Sequence, residues 1–137
     1  MKQNLYQKIN VFGVIIFFAL IVMALNSCRK DYFPAVTVDL NTPVSFKSDI
    51  IPIFTSNCAT GKGCHISGDQ VPDLTAANAY DNLLGLGYVD TTTTDLTKSK
   101  LYVLITATSK QMPPSGKMSA DKIGKIQAWI LQKAPNN

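Results

Sequence analysis

The sequence predicts an all-α domain of three to four helices joined by long loops, preceded by a cleaved lipoprotein signal peptide. Three observations carry this reading. The stretch "SADKIGKIQAWILQKAP" repeats its apolar residues with a helical period. A second periodic stretch, "SFKSDIIPIFTSN", runs directly into Cys58. Glycines, prolines and polar runs break up the chain between them.

The leader comes first in chain order. "MKQNLYQKIN" places Lys2 and Lys8 ahead of an uncharged apolar run of 15 residues, Val11 to Leu25. That run is short for a membrane-spanning helix and has the layout of a signal peptide. It ends in "ALNSC", with Leu25 three residues before Cys28 and the small Ser27 just before it. This resembles a bacterial lipobox, which implies that Cys28 becomes the lipidated first residue of the mature chain. An uncleaved amino-terminal anchor is the alternative. The expected organisation is residues 1–27 as signal peptide, 28–44 as lipid-anchored tether and 45–137 as the folded domain. The tether carries two prolines and has room for a short extended piece at Val36–Val38.

Each helix has its own warrant. Phe46, Ile50, Ile53 and Phe54 share one face of the first, Ser48–Asp49 can serve its start, and Pro52 is tolerable only near that start. In "LTAANAYDNLLGLG", Thr75 can cap a helix that turns Ala79, Leu83 and Leu84 inward and stops at Gly85 and Gly87. "LTKSKLYVLITATSK" is a third helix with Leu101, Leu104 and Ile105 on one face, although its β-branched content would also suit a strand. The last is the best defined. Ser119 caps it, Ile123, Ile126 and Ile130 line a face, Lys133 suits its end, and Pro135 stops it.

Composition narrows the function. Beyond residue 27, eleven Lys and Arg face nine acids, all Asp, for a formal charge of +2. No basic stripe or aromatic platform stands out, so nucleic acid is not an expected partner. A chain this small buries a modest core and gains from a cofactor or covalent staple.

The stretch "NCATGKGCHISG" holds Cys58, Cys64 and His65, the chain's single histidine. With Cys28 lipidated, these two thiols are the ones left. Covalent haem needs two thiols for its two vinyl groups and an imidazole next in line for the iron. Five residues, "ATGKG", separate the cysteines where two are usual, but two glycines let them loop outward with Lys62 facing water. A disulfide between Cys58 and Cys64 in an exported protein would fit the triplet equally well. Zinc held by Cys58, Cys64, His65 and an Asp fits less well, given the close spacing and the oxidising compartment. A haem iron also wants a sixth ligand. Met112 offers its thioether 47 positions after His65 in the loop "QMPPSGKM", which Pro113 and Pro114 stiffen. Met118 competes from beside the last helix but lacks that support. Any single methionine is by default a core residue.

Taken together, "SDIIPIFTSN" running into C…CH, then "MPPSG", then "SADKIGKIQAWILQKAPNN" resembles class I c-type cytochromes. More narrowly it is similar to the cytochrome c domains of Bacteroidetes and Planctomycetes lipoproteins, over roughly Phe46 to Asn137. The resemblance implies a cytochrome c-like fold whose first and last helices cross, bringing Phe54 near Trp129 and Ile130. It implies haem c attached at Cys58 and Cys64, with His65 as proximal and Met112 as distal ligand. The function to expect is a monohaem one-electron carrier, not an enzyme, anchored by lipid at Cys28 and serving redox partner proteins. Arg29 and Lys30 at the lipidated end, with no aspartate second, point to the outer membrane of a Gram-negative bacterium. The rival is a haem-free envelope lipoprotein, closed by a Cys58–Cys64 disulfide, that acts as a binding or structural module.

Overall fold

A computed structural model describes residues 38–137. The signal peptide, Cys28 and the tether as far as residue 37 lie outside the described residues, as does all of the Val36–Val38 piece except Val38. The described residues form helices and no strand, so the domain is all-α. No helix among them is long and apolar enough to cross a membrane.

The first helical segment opens with one π-helical turn, Phe46–Ile50, and continues as α1, Ile51–Asn57. Its cap is Ser45, not the expected Ser48–Asp49. Ser45 is extended (φ −86°, ψ 128°), and its hydroxyl accepts the Ser48 N–H at 3.1 Å. Asp49 reaches back to accept the Ser45 N–H at 3.0 Å, which completes a reciprocal cap. Pro52 then falls in the first positions of α1, behind the widened turn. Its missing N–H costs little there, and a wider turn draws the preceding carbonyls away from the ring.

α2 spans Ala79–Gly85 and α3 spans Lys100–Thr106. Thr75 does not cap α2. Its hydroxyl donates to Asp73, and its carbonyl accepts the N–H groups of Asn78 and Ala79 in a turn that leads into the helix. Gly87, at φ +69°, ends this region as expected, since a left-handed residue lets the Tyr88 N–H return to the Leu83 carbonyl at 2.8 Å. The expected third helix is split. A short 3₁₀ turn, Leu96–Lys98, is parted from α3 by Ser99, whose backbone is extended. Ser99 is fully buried, and its hydroxyl accepts the Asp90 N–H at 3.0 Å. That bond to a distant loop outweighs helical continuity.

α4, Ala120–Leu131, is the longest helix. Ser119 takes the cap position with an extended backbone, but its side chain makes no capping bond. The helix stops at Gln132, before Pro135 is reached. Lys133 and Ala134 adopt positive φ (71° and 47°), and the Pro135 carbonyl accepts the Trp129 indole N–H at 3.0 Å.

Phe46, Ile50, Ile53 and Phe54 are all buried, as are Ile123, Ile126, Trp129 and Ile130. Phe46 is the hub between them. Its ring lies 5.0 Å from Trp129, 5.3 Å edge-on from Tyr80 and 6.4 Å from Phe54. Phe46 is thus the ring paired with Trp129, and Phe54, Trp129 and Ile130 share its core cluster. Each such pair adds about 0.5–1.5 kcal/mol beyond the area it buries. Polar ties reinforce the meeting of the first helical segment with α4. Lys125 pairs with Asp49 at 3.1 Å, and Lys122 donates to the Asn57 side chain at 3.2 Å. Asn137 caps the π-helical turn through the N–H groups of Phe46 and Lys47. Gln132 holds the Val44 N–H and the carbonyls of Leu40 and Thr42, so the last residues of the expected tether are fastened to the domain.

Five aspartates are held below their ordinary range by hydrogen bonds: Asp39 from Thr42, Asp49 from the Ser45 backbone, Asp73 from Ser67, Asp90 from Thr92 and Asp95 from Thr97. A depressed carboxylate contributes stability that is present above its unfolded value, near 4, and is lost as pH falls through the folded value. The melting temperature is expected to hold steady above about pH 5 and to fall below about pH 4. A melting temperature that stays level in an acid series down to about pH 2.5 would contradict this.

Candidate functional site

α1 delivers Cys58. Both the Cys58 and Ala59 N–H groups return to the Phe54 carbonyl at 2.8 Å, and the Cys58 side chain is buried. The next five residues then leave the helical path. Gly63 sits at φ +85°, a left-handed conformation that suits glycine, and its N–H donates to Asp69 at 2.6 Å. Lys62 at the tip is exposed, as expected. The chain closes again when the His65 N–H donates to the Cys58 carbonyl at 3.0 Å. With two residues between the cysteines, the histidine stands four positions after the first, which is the spacing of a helical hydrogen bond. Here the same pair of groups is bonded and the three additional residues project as a loop.

His65 is held on three sides. Besides its N–H, its carbonyl accepts the Leu74 N–H at 2.8 Å, and Nδ1 lies 2.9 Å from the Pro72 carbonyl. A carbonyl can only accept, so Nδ1 carries a proton, and in the neutral ring Nε2 is then the nitrogen with the free lone pair. Pro72 is buried and the imidazole is half-buried. Met112 comes from the opposite part of the sequence. Its N–H donates to the Leu104 carbonyl at 3.0 Å, which ties the proline loop to α3.

Cys58, Cys64, His65 and Met112 line one cavity of about 530 Å³. That volume is typical of cofactor and small-molecule sites. Leu101, Leu104 and Ile105 of α3 supply apolar wall, and Pro113 and Pro114 stand beside Met112. Met118 does not line the cavity; it is buried in the core. Lys100 is the one formally charged residue on the lining, its ammonium 4.6 Å from the centre of the Tyr88 ring. Both cysteines are free thiols. Burial, with Cys64 adding to it and Lys122 opposing, pushes the Cys58 thiol up to about 11. Among the described residues, no three His, Cys or acidic side chains cluster as a zinc site would require.

Sequence reasoning named the four sulfur and imidazole groups but missed their neighbours. The Pro72 carbonyl carries no signal in "VPD", because a backbone acceptor is common to every residue. Tyr88 lies just past the expected end of the second helix and Lys100 within the expected third, and neither position carries a cofactor signal. No family model, characterised protein or solved structure matches this chain.

Proposed function

We propose that this chain is a monohaem c-type cytochrome that carries single electrons and catalyses no reaction of its own. The observation that supports it best is the meeting of Cys58, Cys64, His65 and Met112 on one largely apolar cavity. The donor set suits the group. Two thiols stand ready for thioether bonds, His65 presents Nε2 with Nδ1 already engaged, and Met112 offers a thioether from a loop fastened to α3. Haem bound there would supply a one-electron iron couple, and a His–Met pair favours the reduced state. The chain's own part is to orient His65 through Pro72, exclude water with Leu101, Leu104 and Ile105, and offer Lys100 to the acidic side groups of the ring. On this reading the folded part is a cytochrome c-like domain. Its lipid anchor is Cys28, its place is the outer membrane of a Gram-negative cell envelope, and its partners are redox proteins.

The test is a visible spectrum of the protein from a host with an active cytochrome c maturation system, oxidised and reduced, repeated after denaturation and acid–acetone extraction. The expected result is a sharp reduced α-band and colour that stays with the denatured chain. Met112→Ala should then lose the spectral signature of methionine–iron ligation while keeping the attachment. A colourless protein without free thiols would instead establish the disulfide-closed module. Colourless protein with both thiols free would mean a domain that keeps the fold without the cofactor, and either result overturns the proposal.

A further inference from the structure

The segments on either side of the 68–71 loop lie alongside each other, joined at three points. The Leu74 N–H donates to the His65 carbonyl at 2.8 Å, His65 Nδ1 meets the Pro72 carbonyl at 2.9 Å, and the Ser67 hydroxyl donates to Asp73 Oδ2 at 2.6 Å. Asp73 holds far more than that one bond. Its Oδ1 accepts the Thr75 N–H at 2.9 Å and the Thr75 hydroxyl at 2.6 Å, and its Oδ2 also accepts the Asn78 amide at 2.8 Å. Its own N–H donates to the Asn82 side chain on α2 at 3.1 Å. One carboxylate therefore ties the residue two positions after His65 to the turn that starts α2. The next residue toward the amino terminus is Pro72, whose carbonyl is the acceptor for His65.

We propose that Asp73 is the positioning residue of this site: by clamping Ser67, Thr75 and Asn78 it holds the Pro72 carbonyl on His65 Nδ1, and so sets which nitrogen of His65 is free and how strongly it donates. It does not line the cavity and has no hydrogen bond to the imidazole; it acts through the segments that carry Pro72 and Ser67. Neighbours of this kind, one step behind a ligand, commonly control its orientation and basicity. Bonds to ionised acceptors are also the stronger ones, so a carboxylate suits the task better than an amide. The role in ligation rests on the reading of His65 as proximal ligand. The clamp on the imidazole does not.

That separation shapes the experiment. His65 is the single histidine, so untagged full-length chain labelled with ¹⁵N-histidine reports one imidazole. In the haem-free chain, at a pH set well above the ordinary imidazole value so that the ring is neutral, the expected pattern is a fixed Nδ1–H tautomer. Asp73→Ala should move both nitrogen shifts toward those of a free ring that exchanges between tautomers. Asp95→Ala is the matched control, since Asp95 likewise accepts the N–H and hydroxyl of the residue two positions on, away from the cavity. It should leave the pattern unchanged. If Asp73→Ala does not fold, Ser67→Ala and Asp73→Asn each remove part of the clamp and should give a smaller shift in the same direction. In the loaded chain, Asp73→Ala should speed solvent exchange of the Nδ1 proton by roughly threefold to tenfold, the factor that the support of one net hydrogen bond is worth. It should also raise the reduction potential, because an imidazole with a weaker Nδ1 bond donates less to ferric iron. The clamp is overturned by an Nδ1–H signal indifferent to the Asp73 and Ser67 variants, or by an equal shift in Asp95→Ala; an unchanged potential in loaded Asp73→Ala overturns its role in ligation. A chain that never takes haem but shows the tautomer shift would sink the cytochrome reading and leave the clamp standing.

Discussion

Replacing Cys58 and Cys64 together by alanine should abolish retention of haem on the denatured chain, from complete to none. The two thiols line the cavity and are free. They are the groups there able to form a bond that survives acid–acetone. His65 and Met112 can still ligate iron in the folded double variant, so colour should appear under native conditions and wash out on extraction. The single variants should differ. Cys64 is half-buried on the loop, and its loss should cost little stability, whereas Cys58 is buried at the end of α1 beside Phe54. Cys58→Ala should therefore lower stability as well as attachment, and urea unfolding alongside the extraction separates the two effects. Colour that persists on the denatured double variant would rule these cysteines out.

Trp129→Ala should lower the unfolding free energy by about 3–5 kcal/mol, the range for removing a large buried aromatic. Trp129 is fully buried, its ring stacks on Phe46 at 5.0 Å, and its indole N–H satisfies the Pro135 carbonyl at 3.0 Å. Alanine leaves a void on the hub of the core and strands that carbonyl. A domain of this size holds about 5–15 kcal/mol in all, so the variant stands near the limit of folding. Trp129→Phe should fall in between because it keeps the ring contact and loses the indole bond. Val103→Ala, at an exposed site on α3, should stay within about 0.5 kcal/mol. Urea midpoints measured on the three variants check the order. A Trp129→Ala loss below about 1 kcal/mol would show that the two ends of the chain do not share the core described.

Much of the fold is legible in the sequence because amphipathic period is a local property. Ile123, Ile126 and Ile130 recur at helical spacing and are all buried, and the same holds for Phe46, Ile50, Ile53 and Phe54. Helix ends were harder to read. Ser48 sits where a capping residue should, but Ser45 takes the role because Asp49 reaches back to it and Asn137 arrives from the far end of the chain. Ser99 splits the third periodic segment because burial against the Asp90 N–H outweighs the preference of the surrounding residues. Pro135 looks like the stop for α4, yet the turn comes earlier, and Pro135 serves instead as an acceptor for Trp129. Each of these differences involves a partner remote in sequence or a backbone group, and neither leaves a pattern among nearby residues.

The site divides along the same line. The sequence by itself determined the chemical inventory: two thiols and an imidazole within eight residues, and a methionine braced by two prolines. It also determined that the "ATGKG" segment could loop out, because glycine permits the conformation that Gly63 adopts. Only the tertiary structure decided that Met112, not Met118, reaches the cavity of Cys58, Cys64 and His65, since the Met112 N–H is fastened to the carbonyl of Leu104 while Met118 is packed into the core. It also brought the Pro72 carbonyl within 2.9 Å of His65 Nδ1, a partner seven residues on that no local pattern marks. Residue types are written locally. Which of them share a cavity depends on helices packing across long stretches of chain, where burial and hydrogen-bond satisfaction act together.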